Sequence, residues 1–217
     1  ILAVGSLLVG ADLYFHYGEG AEAFWNSTFM YISMQTGSGF AIANYDLWPE
    51  FSKMLLYIST FIGGCSGSTT GSIKVFRFIV LFKSTAMSLR QSIHPNMVQV
   101  LRINGKVMQS GWIRRIWLFF LLYMVIFVVS TILIAFTNVS LLESMACVGA
   151  TLSNVGLAFG SLGPAESFRG LSPLAKLVCV ADMIFGRLEI FTVFVVLRAD
   201  FWRGYFVPLK DKEAFYE

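Results

Sequence analysis

Two short segments hold residues whose types and spacing suit one kind of chemistry. Thr36-Gly37-Ser38-Gly39 and Ser153-Asn154-Val155-Gly156 each place glycine and small polar residues directly after an apolar run. A segment of this kind can turn its carbonyl oxygens toward a common axis, and rings of carbonyls replace the water shell of a dehydrated cation. Glycine adopts backbone angles that other residues avoid and lets chains approach closely. Either turn alone reads equally well as an ordinary helix C-cap. Two of them, at matched places in a repeat, favour the carbonyl site.

A third segment, Gly63–Ser72, packs four glycines and five hydroxyl residues into ten positions. It cannot persist as lipid-facing helix. It reads either as a close-packing surface or hinge, or as a loop inside a wet cavity serving as a gate, with Gly63, Gly64, Gly67, Ser68, Thr69 and Gly71 as its working residues. The gate is preferred, because the flanks put the loop at mid-membrane. Lys74 follows at once, where it shares the cavity or marks the inner interface. Asp182, Arg187 and Glu189 sit in a later apolar stretch, where charge is costly and faces partners or water. Arg187 is five residues from Asp182 and two from Glu189, so helical neighbour spacing pairs it with neither. It either points its cation into a pore below the turns or closes an ion pair with another helix.

Other chemistries find no support. Cys65, Cys147 and Cys179 lie in apolar stretches without CxxC spacing and read as small core residues. His16 and His94 are isolated. No motif binds nucleotide or builds a catalytic site, so an enzyme is not expected and no cofactor is implied.

The elements that must hold these turns follow from hydropathy. Apolar stretches run over Ile1–Tyr17, Leu47–Phe82, Trp112–Phe136 and Leu174–Leu197. The second is too long for one simple crossing, and its glycine loop splits it into Leu47–Ile62 and Ile73–Leu89. Shorter apolar pieces, Ala21–Met34 and Leu141–Leu152, are too short to cross and end at the two turns. The chain is thus a twofold repeat of membrane helix, short helix, glycine-bearing turn and membrane helix. Both units run in the same direction. The boundaries expected are 1–90 for the first unit with the loop at 63–72, 91–111 for a cytoplasmic linker, 112–200 for the second unit and 201–217 for a cytoplasmic tail.

Composition agrees. Of 217 residues 56% are hydrophobic and only 13% charged, against about a quarter charged in soluble domains. Tyr14, Tyr17, Trp25, Trp48, Trp112, Trp117, Trp202 and Tyr205 fall at the ends of apolar runs, where an interfacial belt puts them. Eight basic residues lie between Lys74 and Arg115, and no acid falls between Glu50 and Glu143. That bias puts the basic segment in the cytoplasm and both turns toward the outside. Its charges flank membrane helices, which argues against nucleic-acid binding. The chain opens inside an apolar run, without an initiator Met or a signal peptide's basic start, and reads as a piece of a longer protein.

Three stretches carry a resemblance. Gly63-Gly64-Cys65-Ser66-Gly67-Ser68-Thr69 with Gly71, Ile73 and Lys74, together with Ser153-Asn154-Val155-Gly156 and Gly186-Arg187-Leu188-Glu189-Ile190-Phe191, resembles the TrkH-type potassium transporters of the Trk/Ktr/HKT superfamily. The resemblance implies an all-α membrane protein of four membrane helix–pore helix–filter loop–membrane helix repeats around one cation pore, of which this chain carries the last two. It implies that Gly39 and Gly156 are filter glycines, that Gly63–Ser72 gates, and that Arg187 lies near that loop. It further implies a homodimer in the bacterial inner membrane, contacting membrane lipid, with a cytosolic nucleotide-binding (RCK-type) regulatory subunit docked on the inner face. The sequence departs from the family pattern at Thr70 and Ser72, where glycine is common, and at Leu157, where proline is. Gly37 stands as an extra glycine.

The expectation is potassium or sodium uptake, with K⁺ held at the filter carbonyls of Thr36, Gly37, Ser38, Gly39, Ser153, Asn154, Val155 and Gly156. The rival is an ion-coupled secondary transporter of a small solute, whose repeats would be inverted.

Overall fold

A computed structural model describes residues 1–18, 20–65, 67–68, 70–94, 100–103, 105–188 and 190–197. Thr69, Glu189, Trp202, Tyr205 and the 201–217 tail lie outside them. Eight helices are described: α1 Leu2–Tyr17, α2 Gly20–Thr36, α3 Glu50–Phe61, α4 Val75–Ile93, α5 Ser110–Ala135, α6 Leu141–Leu152, α7 Pro173–Arg187 and α8 Ile190–Leu197. Among the described residues strand is confined to two minimal pairs, Ile62–Gly63 with Ile73–Lys74 and Arg102–Ile103 with Lys106–Val107. The architecture is all-α and tandem. α1, α2 and the interrupted α3–α4 form one unit; α5, α6 and the interrupted α7–α8 form the next.

In the first unit α1 lays a stripe of Gly5, Ser6, Val9, Gly10 and Leu13 against Ala23, Ser27, Met30, Tyr31 and Met34 of α2. Small residues on α1 allow the close approach that lipid-embedded helices need in place of a hydrophobic drive. α2 is longer than its apolar piece suggests, because the Thr36 hydroxyl donates back to the Ile32 carbonyl at 2.7 Å and carries the last turn.

In the second unit α5 spans 26 residues and is, among the described residues, the helix long and apolar enough to cross a membrane. α6 has the predicted bounds. Ser140 caps it, accepting from the Glu143 N–H at 3.3 Å, the N-cap half of a capping box, while its hydroxyl donates to the Glu143 carboxylate at 2.7 Å. Every residue from Ala146 to Leu152 is buried, as befits a helix enclosed by protein on all sides. α7 begins at Pro173 behind the Ser172 cap and runs through Asp182 and Gly186 unbroken. Of the interruptions expected in Leu174–Leu197, at Asp182, Gly186, Arg187 and Glu189, the helix passes the first two and ends at Arg187, with Leu188 as its C-cap.

One apolar cluster joins α5, α6 and α7 to Ile73 from the glycine loop and Ile190 from α8. Ile73 is fully buried; truncating such a side chain to Ala costs about 2–5 kcal/mol.

Candidate cation site

The two turns repeat one hydrogen-bond pattern. Gly37 N–H donates to the Met34 carbonyl at 3.2 Å, and the N–H groups of Ser38 and Gly39 both reach the Ser33 carbonyl, at 3.0 and 3.5 Å. In the second turn Asn154 N–H donates to the Thr151 carbonyl at 3.0 Å, and Val155 and Gly156 both reach the Ala150 carbonyl, at 2.9 and 3.1 Å. The turns thus spend their amide hydrogens on the end of the preceding helix. Among the described residues no hydrogen bond reaches the carbonyl oxygens of Gly37, Ser38, Gly39, Ser153, Asn154, Val155 or Gly156. Unclaimed carbonyls at the partly negative end of a helix favour a cation.

Backbone angles repeat as well. Gly37 and Gly39 have φ of +69° and +72°; Asn154 and Gly156 have +56° and +83°. Asn is among the few side-chain-bearing residues that enter this region readily. Gly37 is therefore not an extra glycine. It is the left-handed position that Asn154 fills in the second turn.

The turns also approach each other. A Cβ on Gly39 would overlap the Val155 carbonyl oxygen, and one on Gly37 would stand 3.1 Å from the Thr70 methyl. Small groups are required where backbones meet this closely. The second turn is held from behind. Ser153, fully buried, shares a 3.0 Å hydrogen bond with the Tyr123 hydroxyl of α5, and the Asn154 amide donates to the Met183 carbonyl of α7 at 3.1 Å. In the first turn the Ser33 hydroxyl spans the chain, accepting from Phe40 N–H and donating to its carbonyl.

The glycine loop reaches both turns. Thr70 donates to the Thr36 carbonyl at 3.3 Å and shares a 2.6 Å hydrogen bond with Ser68. A Cβ on Gly71 would overlap the Ser153 carbonyl. The loop's two ends are joined: Ile62 and Gly63 pair in parallel with Ile73 and Lys74, Val75 N–H donates to the Gly64 carbonyl at 3.2 Å, and the Ser72 hydroxyl donates to the Thr60 carbonyl at 2.6 Å. Gly67 has open space around it, whereas Gly63 and Gly64 face Ser72 and Ser68 within the loop. Gly186 packs so tightly that a Cβ would overlap the Leu152 carbonyl and crowd the Asn154 amide. Lys74 precedes α4 at its N-cap and Arg187 closes α7, and neither residue is without a partner.

Asp182, 1% exposed, accepts from Ser130 of α5 at 2.6 Å, and its second oxygen has no hydrogen-bond partner among the described residues. The neighbour on another helix that sequence spacing demanded is thus a hydroxyl. At the start of α6, hydrogen bonds from Ser161 and Ser140 hold the Glu143 carboxyl down at about 2. Asp46 accepts from Gly160 N–H at 3.1 Å, and Tyr45 donates to the Ala158 carbonyl at 2.5 Å, so the two units are laced together just beyond the turns. The sequence offered no sign of Tyr45, Tyr123 or Ser33 as supports.

Comparison with known proteins reaches the same molecule class. The family model described as TrkH, cation transport protein, matches residues 2–203. The Trk system potassium uptake protein TrkH of Escherichia coli (strain K12) is 37% identical over 193 residues, which cover 88% of this chain and 40% of that protein. The Trk system potassium uptake protein TrkG of the same strain is 36% identical over 207 residues, 94% of this chain and 42% of that one. The crystal structure of the potassium transporter TrkH from Vibrio parahaemolyticus superposes with a TM-score of 0.85 at 35% identity, covering 94% of this chain and 43% of that one. The chain spans about two fifths of the length of these relatives.

Proposed function

We propose that this chain, which belongs to the TrkH family of cation transport proteins, supplies the last two of four pore repeats in a potassium uptake protein. A member of a transport family, it is an integral membrane protein and not an enzyme. K⁺ passes between the carbonyls of Thr36–Gly39 and Ser153–Gly156, with Na⁺ as the competing ion. The observation that carries the reading is the repeated geometry. Two segments in successive units share their hydrogen bonds, their left-handed positions and their unclaimed carbonyls, and Gly39 backs onto the Val155 carbonyl.

The glycine loop gates this path. Support comes from its contacts, Thr70 on the Thr36 carbonyl and Gly71 against Ser153. Arg187 raises a barrier to cations on the inner side of the filter. The whole protein works as a homodimer in the bacterial inner membrane, passing through it several times, and a cytosolic nucleotide-binding subunit regulates it from the inner face. The relatives' names, Trk system potassium uptake proteins, are in keeping with a membrane subunit that works with others.

The test is ⁸⁶Rb⁺ uptake into proteoliposomes holding the full-length protein, with K⁺, Na⁺ and choline as competitors. Uptake that K⁺ blocks, with selectivity lost in Gly156→Ser and Gly39→Ser, supports the filter. Unchanged selectivity in both variants sinks it.

A further inference from the structure

Five of the basic residues of the inner face fall into two groups. Arg77 lies over the Phe119 ring at 3.9 Å and Arg115 over Trp112 at 5.6 Å, so both cations rest on aromatic faces. Lys83, Arg90 and Arg102 have no such partner. They line one cavity of about 280 Å³ between the last turns of α4 and the Arg102–Val107 hairpin. Among the described residues none of the three forms an ion pair or a side-chain hydrogen bond, and no acid lines the cavity.

The cavity is a built feature. Lys83, Met87 and Arg90 stand four and three residues apart, on one face of α4. The opposite wall is Val100 and Leu101, and Leu101 is buried in a small core with Val80, Leu81 and Ile116. The Met108 N–H to Leu101 carbonyl bond, 2.9 Å, closes the hairpin onto that core. Its depth in the membrane is marked by tryptophan. Trp117 Nε1 donates to Ser84 Oγ at 3.0 Å, one residue from Lys83, and tryptophan concentrates at the headgroup level.

We infer that this cavity binds the phosphate of an anionic phospholipid headgroup from the inner leaflet. Three cations and no acid select a phosphate. Val100, half exposed, and Met87 offer apolar surface to the glycerol and the first methylenes. The volume is at the small end of ligand cavities, which suits a headgroup and not a whole lipid. Basic pockets at membrane helices on the cytoplasmic side are suited to such headgroups. The inference rests on the orientation of the chain in the membrane and is independent of the filter.

The experiment places the full-length protein in nanodiscs of phosphatidylcholine alone or with cardiolipin, and reads thermal stability and lipid adducts by native mass spectrometry. Cardiolipin should raise the unfolding temperature and persist as an adduct. In Lys83→Ala/Arg90→Ala/Arg102→Ala the affinity should fall by about fivefold per cation removed, on the order of a hundredfold in all. Arg114→Ala/Arg115→Ala, which removes charge elsewhere on the same face, should keep the adduct. An undiminished adduct in the triple variant overturns the site, as does an equal loss in the Arg114/Arg115 variant. Protection by inorganic phosphate with none from cardiolipin overturns the lipid assignment in favour of a soluble phosphate. Lost binding of the cytosolic regulatory subunit, with lipid adducts intact, makes the face a protein dock instead.

Discussion

Asn154 tests whether the left-handed backbone of the second turn matters in its own right. It holds φ at +56°, and its amide donates to Met183 at 3.1 Å. Asn154→Gly and Asn154→Ala both lose that hydrogen bond, a cost of about 0.5–1.5 kcal/mol. They differ in the backbone. Glycine enters the left-handed region freely, whereas an alanine there costs roughly 1–2 kcal/mol. The alanine variant should therefore hold the native turn about 5–30-fold less well than the glycine variant. Asn154→Val should be worse again, because a β-branched side chain is an outlier at positive φ. Competition of K⁺ and Na⁺ against ⁸⁶Rb⁺ uptake, alongside thermal unfolding of the same preparations, reads both consequences. The expected order of selectivity and stability is Asn, then Gly, then Ala, then Val. Equal behaviour of Gly and Ala would refute the backbone argument and leave the Met183 hydrogen bond as the whole of Asn154's role.

Three further outcomes are expected. Thr70→Val removes the hydroxyl that holds the glycine loop to the Thr36 carbonyl, so basal ⁸⁶Rb⁺ leak should rise; reduced flux at normal expression would contradict the gate. Ser130→Ala leaves both Asp182 oxygens unpartnered and should cost about 1–3 kcal/mol. Thermal unfolding of Ser130→Ala, Asp182→Leu and the double variant should show strong coupling, and additive losses would refute the pairing. At Glu143 the folded carboxyl sits near 2, below an ordinary glutamate at about 4.3. A depressed value means that the stabilisation is complete above the unfolded pKa and is lost as pH falls through the folded one. The contact among Ser140, Glu143 and Ser161 should loosen between about pH 4 and pH 2. Glu143→Gln should flatten that part of the stability profile, and an unchanged acid limb would argue against it.

Helices were legible in the sequence where hydropathy alone decides them. α6 has its predicted bounds because an apolar run lies between a serine cap and a small polar turn. The turns were legible because glycine marks backbone that cannot stay helical. Pairings between distant residues were not. Nothing local in Thr70 announces the Thr36 carbonyl, and nothing in Ser130 announces Asp182, since each bond exists only after helices far apart in sequence have packed. Gly37 was misjudged as surplus for the same reason. Its equivalence to Asn154 is a matter of φ, which composition does not record. α2 outran its apolar piece because Gln35 and Thr36 are polar yet helical, one buried in protein and the other bonded back to its own helix.

The joined neck of the glycine loop has a mechanical consequence. With Ile62–Gly63 paired to Ile73–Lys74, the end of α3 and the start of α4 are held side by side whatever the residues between them do. A gate made from that intervening segment moves on a fixed frame. If the loop gates as proposed, opening it would keep the pairing of the two helix ends and would require no displacement of helices in the plane of the bilayer. Transport through such a gate should be indifferent to bilayer stretch and thickness, in contrast to pores that open by tilting or splaying their helices.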